Sequence, residues 1–92
     1  MLFEWNDDKN RININKHGID FNDIPEMFNH EMLSNLDLRE DYGEERWVGI
    51  GWLKSLIGVV VYLEKLDDTI RITSARKATK YEVKRYEKHI KN

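Results

Sequence analysis

The sequence predicts an α+β fold, a small antiparallel sheet flanked by helices, and three observations carry that expectation. The stretches "RWVGIGWL", "LIGVVVYLEK" and "TIRITSAR" have the β-branched and aromatic composition of strands and follow one another from residue 46. The links between them, Lys54-Ser55 and Asp67-Asp68, are short enough to make neighbouring antiparallel strands the economical topology. Residues 7–17 and 77–91, on either side, carry helix signals instead.

The elements follow in order. "MLFEWN" sets Leu2, Glu4 and Asn6 against Phe3 and Trp5, a short first strand with an aromatic face. Next, "NDDKNRININKHG" offers Asn6 or Asp7 as N-cap, acids in the first turn, Lys16 and His17 in the last and Gly18 just beyond, all suited to a helix and its dipole. Its Ile-Asn-Ile-Asn alternation is strand-like, but the end signals predict a helix. In "IDFNDIPEMFNHEML", Phe21, Ile24, Met27 and Phe28 form one helical stripe, with Asp20 or Asp23 as cap and Pro25 near the start. A looser stretch follows, with a brief strand expected around Asn35 to Leu38. After the three strands, Lys77 to Lys91 reads as a helix. At about 100° per residue, Lys77, Lys80, Lys84, Lys88 and Lys91 share an arc of about 80°, while Val83, Tyr86 and Ile90 occupy another face.

Composition bounds what such a chain can do. Ninety-two residues with 40% hydrophobic content suffice for one modest core, so a single domain over 1–92 is expected. Cysteine is absent, which excludes a disulfide framework, a thiolate zinc site and a cysteine nucleophile, and suits a reducing cytoplasm. The longest strongly apolar run, Leu56 to Leu63, falls far short of the roughly 20 residues a membrane helix needs, so no membrane partner is expected. The net charge of −2 hides a division. Residues 1–45 hold four basic and twelve acidic residues, a net of −8, whereas residues 46–92 hold eleven and five, a net of +6. The basic half points to a polyanionic partner, unless the acidic half lies beside it and cancels its field.

Several residues have chemistry to offer. In "TIRITSAR" the pleat sends Ile70 and Ile72 to one side and Arg71 with Thr73 to the other, with Arg76 near the strand end and Lys77 after it. Arginine suits phosphate because its planar fork donates two hydrogen bonds and stays charged; the plain alternative is an exposed arginine paired with a neighbouring carboxylate. Glu45 and Arg46, just before a strand, could supply a base beside a cation, or be simply solvated. His17 beside Lys16 could shuttle protons or only complement a helix dipole. Three scattered histidines make no metal-site pattern. The lysine ridge could touch phosphates or keep the helix soluble, and Trp47 and Trp52 are expected to complete the core rather than stack on bases.

Taken together, "FEWNDDKNRININKHGIDF", "EERWVGIG", "VVY" and "IRITSARKATKYEVKRYE" resemble the BrnT family of bacterial type II toxins over nearly the whole chain. The specific parts are Trp5 to Lys9, Lys16-His17-Gly18, Glu45-Arg46 with Ile50-Gly51, and Ser74-Ala75-Arg76. The resemblance implies a RelE-like fold, a ribonuclease that halts growth, and a cognate antitoxin of BrnA type whose ribbon-helix-helix part represses the operon. DNA would thus be met only through the antitoxin. One departure stands out: many members carry Gly-Arg at the start of the central strand, where this chain has Ser55-Leu56, leaving Lys54 or another cation to take the role.

The function expected is therefore that of an endoribonuclease toxin that cleaves RNA without metal or cofactor, through attack of the substrate's own 2′-hydroxyl. Arg71 and Arg76 would clamp the phosphate, Arg46 and Lys77 would add cations, either His17 or Glu45 would handle protons, and Lys16, Lys80 and Lys84 would bind RNA. The three arginines are expected to converge on one spot. The alternative is a non-catalytic basic module that binds nucleic acid or an acidic protein.

Overall fold

The computed structural model describes residues 1–39, 41 and 43–91. In chain order its elements are β1 (Leu2–Glu4), α1 (Asp7–His17), two short 3-10 helices (Phe21–Asp23 and Pro25–Asn29), β2 (Leu33–Leu36), β3 (Trp47–Leu53), β4 (Leu56–Lys65), β5 (Thr69–Lys77) and α2 (Lys80–Lys91). The α+β class is as the sequence predicts. The sheet runs β1-β5-β4-β3-β2, with the most apolar strand, β4, at its centre. Strands β2 to β5 are antiparallel, but β1 pairs with β5 in parallel, Phe3 opposite Ile70 and Glu4 opposite Arg71, so the sheet is mixed.

One face of the sheet carries the larger core. Phe21, Ile24 and Met27 are fully buried against Val60, Tyr62, Ile70 and Ile72, and Phe28 sits between Phe3 and Tyr62 at ring distances of 5.2 and 5.1 Å. The expected stripe Phe21-Ile24-Met27-Phe28 thus packs inward. It does so from two 3-10 turns, not one α-helix: Asp20 caps the first by accepting from the Asn22 N–H at 2.9 Å, and Pro25, which lacks an N–H and crowds the preceding turn, forces a restart at its own position. On the opposite face, α2 lays Tyr86, Val83 and the preceding Ala78 over Ile50, Ile57 and Val59.

Two expectations about element ends shift, and one about a core tryptophan. The strand expected at 35–38 lies at Leu33–Leu36. Helix α2 begins at Lys80, because β5 continues through Lys77 and a reciprocal cap sets the start: Glu82 N–H donates to Thr79 Oγ1 at 3.2 Å, and Thr79 N–H donates to Glu82 Oε1 at 2.8 Å. Lys77 therefore belongs to a strand and leaves the lysine ridge. Trp47 packs at the core margin as expected, whereas Trp52 is 46% exposed.

Helix α1 has the predicted ends, with Asn6 Oδ1 accepting from Lys9 N–H at 3.0 Å and Gly18 in the left-handed region at φ 71°. Its buried face is made of asparagines. Asn10 accepts from the Phe21 N–H at 2.8 Å and donates to Asp20 at 3.0 Å; Asn13 donates to the Ile19 carbonyl at 2.9 Å and accepts from the Ala75 N–H at 3.0 Å. That last bond matters for the site. Paired with β1 only at residues 69–71, β5 has an outer edge that the α1 side chain closes further along.

Candidate active site

Strict alternation along β5 would put Arg71 and Arg76 on opposite faces, since they are five positions apart. A bulge changes this. Tyr62 pairs with Ile72 but Val61 with Ser74, so Thr73 is an extra residue, and its hydroxyl donates to the Val61 carbonyl at 3.0 Å. Beyond it the phase is reset: Ala75 enters the larger core with Ile70 and Ile72, while Ser74 and Arg76 join the face on which Arg71 lies.

On that face is a cavity of about 660 Å³. Val48, Ile50, Val59 and Val61 form its floor, Ser74 and Arg76 one wall, Glu82 and Arg85 of α2 another, and Asp37 with Arg39 the side after β2. Lys16 and His17 reach it because Asn13 ties α1 to the β5 edge, which carries the helix C-terminus to the rim. Arg76 is held firmly: Nη1 and Nη2 donate to the two carboxylate oxygens of Glu82 at 2.8 and 2.9 Å, and Nη1 also donates to the Lys77 carbonyl at 3.2 Å. The Arg76 guanidinium, helped by the Thr79 N–H, pulls the Glu82 carboxyl down to about 2. The same pairing pushes the Arg76 guanidinium up. Across the cavity, Arg39 Nε and Nη2 donate to the buried Asp37 carboxylate at 2.8 and 2.7 Å.

The structure brings together three of the residues singled out from sequence, Lys16, His17 and Arg76. The others lie elsewhere. Glu45 and Arg71 line a second, smaller hollow with Glu44 and Lys65, and Glu45 and Arg46 a third with Asp41 and Glu44. Arg71 donates to Glu4 at 2.9 Å, as does Lys65, and the two cations, Lys65 first, hold the Glu4 carboxyl below its usual range. Arg46 Nη2 is 3.8 Å from Glu44. The expected convergence of the three arginines on one spot is thus not found: Arg71 and Arg76 share a face, but their partners on β4, Leu63 and Val59, are four residues apart, which sets the two arginines about 13 Å from each other along the sheet. Lys77, Lys80 and Lys84 are exposed and outside the cavity lining. Lys54 pairs with Asp23 at 3.2 Å, also away from the cavity, so it does not take the place of the missing Gly-Arg cation there.

Glu82, Arg85 and Arg39 escaped the sequence reading, and Ser74 enters it only as part of the Ser74-Ala75-Arg76 block, without a role. The Thr79-x-x-Glu82 spacing is a visible cap signal, and it could have located Glu82 as an element end, though not as the partner of Arg76. Among the described residues no group of three His, Cys, Asp or Glu side chains is placed to hold a metal ion, and no helix is long and apolar enough to cross a membrane.

Comparison with known proteins adds the context. A family model described as "Ribonuclease toxin, BrnT, of type II toxin-antitoxin system" matches residues 5–82. Among solved structures, the 1.1 Å crystal structure of the Brucella abortus ribonuclease toxin BrnT is similar at 24% identity and a TM-score of 0.67, covering 87% of this chain and all of that one. At that identity the likeness speaks for the fold. No curated protein matches the sequence.

Proposed function

Because the chain belongs to the BrnT family of ribonuclease toxins of type II toxin-antitoxin systems, whose membership implies an antitoxin partner, we propose that it cleaves RNA at the cavity between α1, β5 and α2 without a metal ion. The observation that carries this reading is the meeting of His17 and Arg76 at one cavity although 58 residues separate them in sequence. In the proposed reaction the substrate's 2′-oxygen bonds to the adjacent phosphorus and the bond from phosphorus to the 5′-oxygen breaks. The 2′-hydroxyl proton is lost, a proton is gained by the leaving oxygen, and the products are a cyclic phosphate and a 5′-hydroxyl. His17 transfers protons, and Arg76 stabilises the charge that develops on the phosphate oxygens. Lys16, Arg85 and Arg39 contact the flanking backbone, and Lys80 and Lys84 extend the cationic path along α2.

The donor chemistry favours a reaction without metal: Asp37 and Glu82, the two carboxylates at the cavity among the described residues, each already accept two N–H groups from an arginine. Glu45, Arg46 and Arg71, outside the cavity, are left no catalytic part in the proposal. The single domain over 1–92, the cytoplasmic setting and the BrnA-type antitoxin belong to the same reading. DNA, which lacks the attacking hydroxyl, would not be cut.

The test is incubation of the purified protein with single-stranded RNA in EDTA. Fragments ending in cyclic phosphate are expected, and Arg76→Ala should slow their release roughly 10²- to 10³-fold, as when one charge-stabilising donor is lost. Intact RNA in EDTA with cleavage restored by magnesium would overturn the metal-independent mechanism, and unchanged cleavage by Arg76→Ala would remove that residue from the site.

A further inference from the structure

Arg76 poses a problem for any role at a phosphate, since a carboxylate already occupies it. A guanidinium carries five N–H donors in a plane. Glu82 takes one from each Nη, and the Lys77 carbonyl takes the second from Nη1. The Nε–H and the second Nη2–H are left, both on the same edge of the fork, and no acceptor among the described residues meets them. Two parallel donors on one edge are the geometry that receives two oxygens of a phosphodiester. Glu82 in turn is not free to wander: its Oε1 accepts from the Thr79 N–H, and its backbone N–H is held by the Thr79 hydroxyl, which fixes it at the first turn of α2.

We propose that Glu82 is the positioning residue of the cavity, gripping the end of the Arg76 fork so that its free edge stays presented to an RNA phosphodiester. Resting on the ribonuclease reading above, this assigns the cap of α2 a second task, that of aligning a side chain on β5. A side chain anchored in this way loses little freedom when the phosphate arrives, and that saving falls on the transition state as well as on binding.

Two substitutions separate the tasks. Glu82→Gln keeps the cap, because glutamine serves at that position, but offers Arg76 one acceptor in place of two and puts an amide N–H against the other Nη. Thr79→Ala removes the capping hydroxyl and leaves the Arg76 pair intact. RNA cleavage, measured as kcat and KM beside a thermal melt of each variant, should fall about 10- to 100-fold in kcat for Glu82→Gln and less than about 3-fold for Thr79→Ala. In an Arg76→Ala background Glu82→Gln should cost nothing further, because it acts through the missing side chain.

Loss of kcat in both variants in proportion to their melting temperatures would reduce Glu82 to a helix cap and overturn the proposal. So would a gain in activity for Glu82→Gln, which would make the carboxylate a competitor of the phosphate, and so would a full additional loss in the double variant. If Arg76→Ala itself cleaves normally, the ribonuclease site is what fails, an outcome distinct from these.

Discussion

The two helices hold to the same sheet by opposite means. Helix α2 follows the familiar pattern, with Tyr86 buried, its hydroxyl donating to the Glu31 carbonyl at 2.8 Å, and lysines turned to solvent. Helix α1 inverts it: Asn10 and Asn13 are inside, while Ile12 is 63% and Ile14 38% exposed. Its interior contacts are side-chain amides bonded to the backbone of the Ile19 to Phe21 stretch and of β5. The comparison teaches that a helix can be positioned by hydrogen bonds to otherwise unpaired backbone groups as well as by apolar area, and that the first means leaves no hydrophobic period to read.

Substitutions can break or sharpen that contrast. Tyr86→Ala, which empties a buried aromatic site, should cost about 3–5 kcal/mol in urea or thermal unfolding. Asn13→Ala should come close behind, at about 2–4 kcal/mol, because it strands both the Ala75 N–H and the Ile19 carbonyl; a cost under about 0.5 kcal/mol would mean that α1 is held by something other than its asparagines. Acid should test α2 specifically. The Glu82 carboxyl lies well below its unfolded value of 4.5, so its contribution is complete above that pH and is lost as pH falls from about 4.5 to about 2. At most about 3 kcal/mol is at stake, and Glu82→Gln should flatten that part of the stability profile. The smallest effect is the most pointed: Ile12→Lys should change stability by no more than about 0.5 kcal/mol, whereas a conventional amphipathic helix would lose several times that at an isoleucine.

What was legible in the sequence follows from the same physics. The ends of α1 could be read because caps are local, and the three hairpin-linked strands because alternation and short links are local too. The parallel docking of β1 on β5 left no trace, since no short link joins them. The split at Pro25 was half visible, in the proline but not in its consequence. Of the candidate site, Arg76, His17 and Lys16 were singled out by chemical type, but their meeting depends on Asn13, which bears no charge and drew no notice. The charge division proved partly internal: Glu4 takes Arg71 and Lys65, Asp23 takes Lys54, and Glu31 lies 3.3 Å from His89. Part of the acidic half therefore answers the basic half within the fold, while Arg76 finds its partner in its own half.

Thr73 has a bearing on how related chains should be aligned. Its removal would turn "IRITSAR" into a tidier β-strand and look like a trivial deletion. Deletion would leave the pairs Tyr62–Ile72, Val61–Ser74, Val60–Ala75 and Val59–Arg76 in unbroken alternation, so the guanidinium would keep its face; keeping Thr73 without the bulge is what would swing Arg76 toward the aromatic interior and Ala75 outward. The extra residue and the bulge therefore belong together: a run one residue shorter would keep the arginine on the cavity side with no bulge, whereas a run of this length needs one.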